Sequence, residues 1–387
     1  GAAIGGSISG SSSATIIANL PKGAEASFSL SSDLVGLGVN AKQINWRKPA
    51  GKPAQFRLTG RYNKRALIDL FFLKGAGLNV EGAVDYKDQG EFKSLSVSKL
   101  RVDDILDVFG QFNPAMGIEI FGGWLNFPNI VGGMPEINDA QKTPIALKVA
   151  LDEVVLGENR LTEFRADLIS TRQLSGPFSA KVNGTAKIEA ILSPRNGRTA
   201  LELKSEQAGQ LLTSVGALQS ATGGRLNLIL SPNQEIGKTD GLLEIQNLKV
   251  QKAPLFAELL NAISIIGLLE QLTGPGILLS EVDAKFRSTE EQIIVESASA
   301  FGPSIGLSLD GYYNRKAEML DMQGVLSPIY FINGIGSALT RKGDGLFGFS
   351  FNLEGKKAQP SLDVNPLSIL TPGIFREVFR RPPPRLE

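Results

Sequence analysis

Apolar and polar residues alternate along most of this chain in short segments with a period of two, the pattern of strands that bury one face and wet the other. In one segment Leu78, Val80, Gly82, Val84 and Tyr86 share a face, with Asn79, Glu81 and Asp85 opposite. The pattern recurs at Phe178, Ala180, Val182, Gly184, Ala186, Ile188, Ala190 and Leu192, with Lys181, Asn183, Thr185, Lys187 and Glu189 opposite, and reads as one unusually long strand. It returns at Ile305, Leu307, Leu309, Gly311 and Tyr313, at Leu320 and Met322, and at Phe347, Phe349, Phe351 and Leu353. One-sided strands belong to antiparallel sheets. The expected fold is therefore mainly β, a long, curled, largely antiparallel sheet whose apolar face forms a groove, with a few short amphipathic helices.

The 43 glycines are spread along the chain and read as punctuation between strands, of which roughly 18 to 20 are expected. Turn signals stand at Lys87-Asp-Gln-Gly90, Ser193-Pro-Arg-Asn-Gly197 and Asp240-Gly241. A helix is expected over 254–272, with Leu255, Leu259, Ile263 and Ile266 on one stripe, Pro254 at its start and Gly274-Pro275 at its end. Shorter helices are expected over 207–215 and 103–109, and a closing amphipathic helix over 367–381 places Ile374, Phe375, Val378 and Phe379 opposite Arg376, Arg380 and Arg381. Working segments are 1–140, 141–250 and 251–387, read as parts of one continuous elongated structure with a weak repeat of strands, short helix and strands.

Composition removes most chemistry. Lys plus Arg is 40 and Asp plus Glu 39, so no basic face argues for nucleic acid. Without cysteine there are no disulfides or thiolate metal sites, and without histidine the commonest general base and zinc ligand are missing. No run of about 18 apolar residues spans a bilayer as a helix. Gly237-Lys238-Thr239 ends like a phosphate-binding loop, but Pro232 stands where that motif needs glycine. Gly302-Pro-Ser-Ile-Gly306 frames a serine that no histidine can activate, and reads as a turn. Asp103, Asp104 and Asp107 lack calcium-loop spacing and read as the acidic start of a helix. Asn183-Gly184-Thr185 is a formal glycosylation acceptor placed inside the long strand. No catalytic residue, metal site or cofactor is expected.

The apolar face of the strands remains. It either packs as a core, between two sheets or inside a barrel, or lines a trough open to acyl chains. About 20 one-sided strands need a covering layer that few short helices cannot supply. Stacked at about 4.8 Å each, they would make a trough roughly 90 Å long. Candidate lining residues are Leu78, Val80, Val84, Phe178, Val182, Ile188, Ile305, Leu307, Leu309, Phe347, Phe349 and Phe351. The 254–272 helix, or Ile374, Phe375, Val378 and Phe379 of the closing helix, would plug one end or dock on a membrane, or else simply pack on the sheet.

Six segments in the last third carry a resemblance: Leu243-Glu-Ile-Gln-Asn-Leu-Lys-Val-Gln-Lys-Ala-Pro254, the leucine-rich stretch to Leu272, Phe301-Gly-Pro-Ser-Ile-Gly-Leu-Ser-Leu-Asp-Gly311, Met322-Gln-Gly-Val-Leu-Ser-Pro-Ile-Tyr330, Gly345-Leu-Phe-Gly348, and Asp363-Val-Asn-Pro-Leu-Ser-Ile-Leu-Thr-Pro-Gly-Ile-Phe375. Together the region resembles the C-terminal part of the AsmA-like family, in its YhdP-like branch of Gram-negative bacteria. Residues 27–250 are similar more loosely, through Gly77-Leu-Asn-Val-Glu-Gly82 and Gly223-Gly-Arg-Leu-Asn-Leu228. The resemblance implies a periplasmic β-groove protein, anchored in the inner membrane by a preceding helix, that moves phospholipids between inner and outer membranes. The chain starts at Gly1 without an initiator Met and is expected to be a piece of that longer protein. It supplies no catalytic residue. Two other classes are expected to differ in what they expose: an assembly factor for outer-membrane proteins would offer an unpaired strand edge, and an enzyme on envelope glycans would need a carboxylate-lined cleft.

Overall fold

A computed structural model describes residues 6–41, 46–63, 66–88, 90–127, 144–263, 266–328, 348–370, 381, 382 and 384. They fall into two compact units, one running through residue 171 and one from residue 172 onward. Both are built from strands, and the expected class holds: mainly β and largely antiparallel, with three short helices among the described residues.

Unit 1 contains β1 (Gly6–Gly10), β2 (Thr15–Asn19), β3 (Ala26–Ser32), β4 (Leu37–Ala41), β5 (Trp46–Lys48), β6 (Gln55–Tyr62), β7 (Ala66–Gly75), β8 (Leu78–Tyr86), β9 (Phe92–Val102), β10 (Leu106–Asn113), β11 (Gly117–Phe127), β12 (Ile145–Leu156) and β13 (Asn159–Ser170). Its main sheet pairs in the order β2-β3-β6-β7-β8-β9-β10-β11-β12-β13. Every pairing is antiparallel except β11 with β12. The short strands β1, β4 and β5 form a separate three-stranded sheet.

Unit 2 contains β14 (Leu174–Val182), β15 (Ala186–Arg195), β16 (Arg198–Ser205), α1 (Ala208–Ser214), β17 (Ser220–Pro232), β18 (Thr239–Gln251), α2 (Pro254–Ala262), α3 (Ile266–Thr273), β19 (Ile277–Ser288), β20 (Gln292–Phe301), β21 (Ile305–Asn314), β22 (Met319–Pro328), β23 (Phe349–Lys356) and β24 (Gln359–Asn365). From β14 to β24 each strand pairs antiparallel with the next in sequence. Hairpins connect such neighbours with the least chain.

Several local expectations change. The long strand expected over 178–192 is two strands, β14 and β15, joined at Asn183-Gly184-Thr185. Asn183 and Gly184 both take left-handed backbone, at φ 49° and 71°, as a tight hairpin requires. Asp240-Gly241 is no turn: both lie inside β18, and Gly241 pairs with Phe286. The residues expected as a helix over 103–109 form a turn and the start of β10. Asp103 adopts φ 38° there and its N–H donates to the Gly77 carbonyl, while Asp107 faces Lys99 and Arg101 across the sheet at 3.9 Å.

The 254–272 helix is divided. Pro254 opens α2 as expected, but α2 ends at Ala262 and α3 starts at Ile266. Ile263-Ser-Ile-Ile-Gly267 carries β-branched residues, serine and glycine, all weaker helix formers than the leucines around them. The 207–215 helix is found as α1, and Gly302-Pro-Ser-Ile-Gly306 is a turn in which the Gly302 N–H donates to the Ile305 carbonyl at 2.8 Å. The closing helix expected over 367–381 starts instead as a 3-10 segment, Pro366–Leu370, and its residues 371–380 lie outside the described residues.

Candidate functional site: the apolar face

Register joins the alternating strands into rows. In unit 2 one row runs Phe178, Ala190, Leu203, Leu228, Leu243, Ala284, Ala298, Leu309, Gly324, Phe351, Val364, each residue the direct partner of the next. No polar side chain interrupts it across eleven strands. The adjacent row on the opposite face runs Glu189, Lys204, Asn227, Glu244, Asp283, Ser299, Ser308. Unit 1 repeats the design with Ile16, Leu30, Leu58, Phe71, Gly82, Val97, Gly110, Ile120, Val149 and Ala166 across ten strands.

The expected lining residues join these two faces. Leu78, Val80 and Val84 lie on the apolar face of unit 1, where they pair with Val102, Leu100 and Leu95. Phe178, Val182 and Ile188 lie on that of unit 2, as do Ile305, Leu307, Leu309, Phe349 and Phe351. Leu309 and Phe351 share the long row with Gly324 between them. Phe347, Ile374, Phe375, Val378 and Phe379 lie outside the described residues.

Burial divides the unit 2 face along its strands. At one end Val250, Ile277, Ala300, Ile305 and Leu326 are buried, together with Leu259 and Leu260 of α2 and Leu272 of α3. There α3 meets β18 and β19 while α2 meets β24, so the helix pair spans this end of the sheet. Ile305 therefore belongs to a sealed core. Further along, Leu228, Leu243, Ala284, Ala298 and Leu309 are only half-buried. A cavity of about 390 Å³ is lined by Leu243, Ala284, Ala298 and Leu309 of this row together with Glu244, Asp283, Ser299 and Ser308 of the row on the opposite face. This volume lies within the usual range of ligand pockets, about 300–1,000 Å³.

Unit 1 is closed at one place by a residue that periodicity does not reveal. Trp46 of β5 is 4% exposed and packs with Leu78 and Val102, against Leu73, Val80, Leu100 and Leu106 of the apolar face. Its indole Nε1 donates to the Ala76 carbonyl at 2.7 Å. Lys48, also buried, pins the same small sheet by donating to the carbonyls of Leu34 and Leu37 at 2.7 and 2.8 Å. Leu78 and Val80 thus sit beneath an indole. The one sequence signal was a lone tryptophan in a segment poor in aromatics.

The opposite face carries the charge. Lys93 pairs with Asp85 at 2.7 Å, Arg61 with Asp69 at 2.6 Å and Lys285 with Glu296 at 2.5 Å. The Arg61 guanidinium holds the Asp69 carboxyl below the usual carboxylate range. Asp240 is also lowered: burial raises it, but hydrogen bonds from Arg287 and Asn233 and the charges of Arg287 and Lys285 outweigh that. The polar face is covered at β22, where Arg381 donates its N–H to Gln323 and its guanidinium to Asp321 at 2.7 Å. Arg381 is thereby tied to the polar side of unit 2.

Among the described residues no group of three or more Asp or Glu side chains could hold a metal, and no helix is long and apolar enough to cross a membrane. Chemically, the arrangement offers apolar contact along the rows and hydrogen-bonded, charged surface on the reverse. Comparison with family models, curated proteins and solved structures finds no match for this chain.

Proposed function

We propose that this protein carries phospholipids between the inner and outer membranes of a Gram-negative envelope, acyl chains resting on the apolar face and headgroups kept in water. The observation that carries the reading is the unbroken apolar row from Phe178 to Val364, half-buried through its middle and beside a cavity. Each CH₂ taken from water onto such a surface gains about 0.8 kcal/mol, and a row of similar side chains offers that gain at every step without one deep trap. The periplasm, the two membranes and the inner-membrane anchor come from the AsmA-like resemblance. The reading needs no catalytic residue and no cofactor.

Lipid analysis by mass spectrometry of the purified protein tests it, together with photo-crosslinking from Leu243 and Leu309. Phospholipid should co-purify and crosslink at both positions. Its absence from both measurements would sink the proposal.

A second reading rests on β2. That strand is exposed along its whole length, with Ile16 and Ile17 about two-thirds exposed, and an outer-membrane protein would add a strand beside it. Crosslinking from Ile17 to a membrane protein, without lipid, would favour this assembly role.

A further inference from the structure

At the end of the unit 2 sheet away from α2 and α3, two cations reach over the apolar face. Arg315 lies in the turn after β21, and its Nη2 donates to Ser288 Oγ at 2.6 Å. Ser288 pairs with Ile293 and Ile293 with Tyr313, so the guanidinium crosses back over β20 to reach β19. Its Nε is buried and meets no hydrogen-bond partner. Lys357 lies in the turn after β23 and holds its Nζ 5.9 Å from the centre of the Tyr313 ring. Both turns are fixed through the backbone: Arg315 N–H donates to the Glu291 carbonyl and Lys357 N–H to the Glu318 carbonyl. Among the described residues neither side chain is paired with a carboxylate, although neighbouring Lys316 pairs with Glu291 at 3.5 Å.

A buried guanidinium donor without an acceptor is unfavourable, and the Nε edge of arginine matches two oxygens of a phosphate in a single plane. A lysine held over the Tyr313 ring adds a second positive charge at the same end of the sheet. Below them the half-buried Phe286, Val295 and Tyr313 begin the apolar face. Anionic oxygen at the rim and hydrocarbon beyond it describe one amphiphile.

We infer that Arg315 and Lys357 form a headgroup site for the phosphate of a phospholipid whose acyl chains lie on the unit 2 face. This rests on the lipid-carrying reading above. The test compares three probes, labelled phosphatidylglycerol, diacylglycerol with the same chains, and sn-glycerol 3-phosphate as competitor, on the wild type, Arg315→Lys, and an Arg315→Gln, Lys357→Met double variant. The wild type should bind phosphatidylglycerol about tenfold more tightly than diacylglycerol, the scale of one charge-assisted hydrogen bond. The double variant should bind both lipids alike, at the wild-type affinity for diacylglycerol, and Arg315→Lys should keep part of the preference. Undiminished phosphatidylglycerol binding by the double variant would overturn the headgroup site while leaving the lipid reading in place. A wild type that binds neither lipid would remove both. Glycerol phosphate competing as strongly as the phospholipid would overturn the headgroup assignment in favour of a soluble phosphate.

Discussion

The ring of Phe351 lies across Gly324, its direct cross-strand partner, so that a β-carbon on Gly324 would collide with the ring's Cζ. The same arrangement joins Phe28 to Gly60, Phe71 to Gly82 and Phe286 to Gly241 on the apolar faces. In each pair the ring occupies the space that a side chain opposite would fill, a known way to stabilise glycine in a sheet. Gly324→Ala should destabilise unit 2 by about 1–3 kcal/mol, the usual range for overpacking. Phe351→Leu should not fully relieve it, because the Ser308 carbonyl also stands in the way. Urea unfolding of the two variants and their combination checks this; an unchanged midpoint for Gly324→Ala would contradict it.

Ile305 and Leu309 share a strand and a face but should respond oppositely to a charge. Ile305 is wholly buried at the sealed end, and Ile305→Asp should unfold unit 2 by stranding an unpaired carboxylate in hydrocarbon, a cost of several kcal/mol. Leu309 lines the cavity, so Leu309→Asp should keep the strand signal in circular dichroism and lose lipid crosslinking. If both variants unfold, the cavity region is part of a dry core.

Asp240 should make unit 2 sensitive to acid. Its folded pKa lies below the unfolded value of about 3.9, so its stabilisation is complete above that value and is lost as pH falls through the lower, folded one. Asp240→Asn should flatten the loss of stability below about pH 4, and should lower stability at neutral pH by leaving buried Arg287 without its 2.6 Å carboxylate partner. Urea midpoints measured against pH in both proteins test this. Parallel curves would rule Asp240 out.

Trp46→Ala should cost about 3–5 kcal/mol in unit 1, since it uncovers Leu78 and Val102 together. Trp46→Phe should cost less, losing chiefly the hydrogen bond to the Ala76 carbonyl, about 0.5–1.5 kcal/mol. Fluorescence of the remaining Trp124 during denaturation reports whether the main sheet of unit 1 survives.

Strand faces were legible in the sequence because side-chain alternation is a local property, and every described lining residue lies on the apolar face its parity assigned. The β14–β15 hairpin was hidden for the same reason. Its loop of three residues, Asn183 to Thr185, leaves Val182 and Ala186 opposite one another, so even positions stay apolar on both sides of the turn. Gly241 misled as punctuation because a glycine under a phenylalanine is chosen by a residue 45 positions away, Phe286. The Asp103 cluster looked like a helix start because acidic residues favour both helix N-termini and turns. Trp46 could not be placed over Leu78, since contact between the small sheet and the main one follows no period.

The parallel pairing of β11 with β12 sets an order of assembly for unit 1. All other neighbours in its main sheet run antiparallel, and most are adjacent in sequence, so they can zip together as hairpins with little loop entropy. The parallel seam must instead wait until separately formed ladders on its two sides meet in register. Pulse-labelled hydrogen exchange during refolding should find the amides between Ile118 and Leu147 protected after those of the β12–β13 hairpin, and the reverse order would refute a late-closing seam.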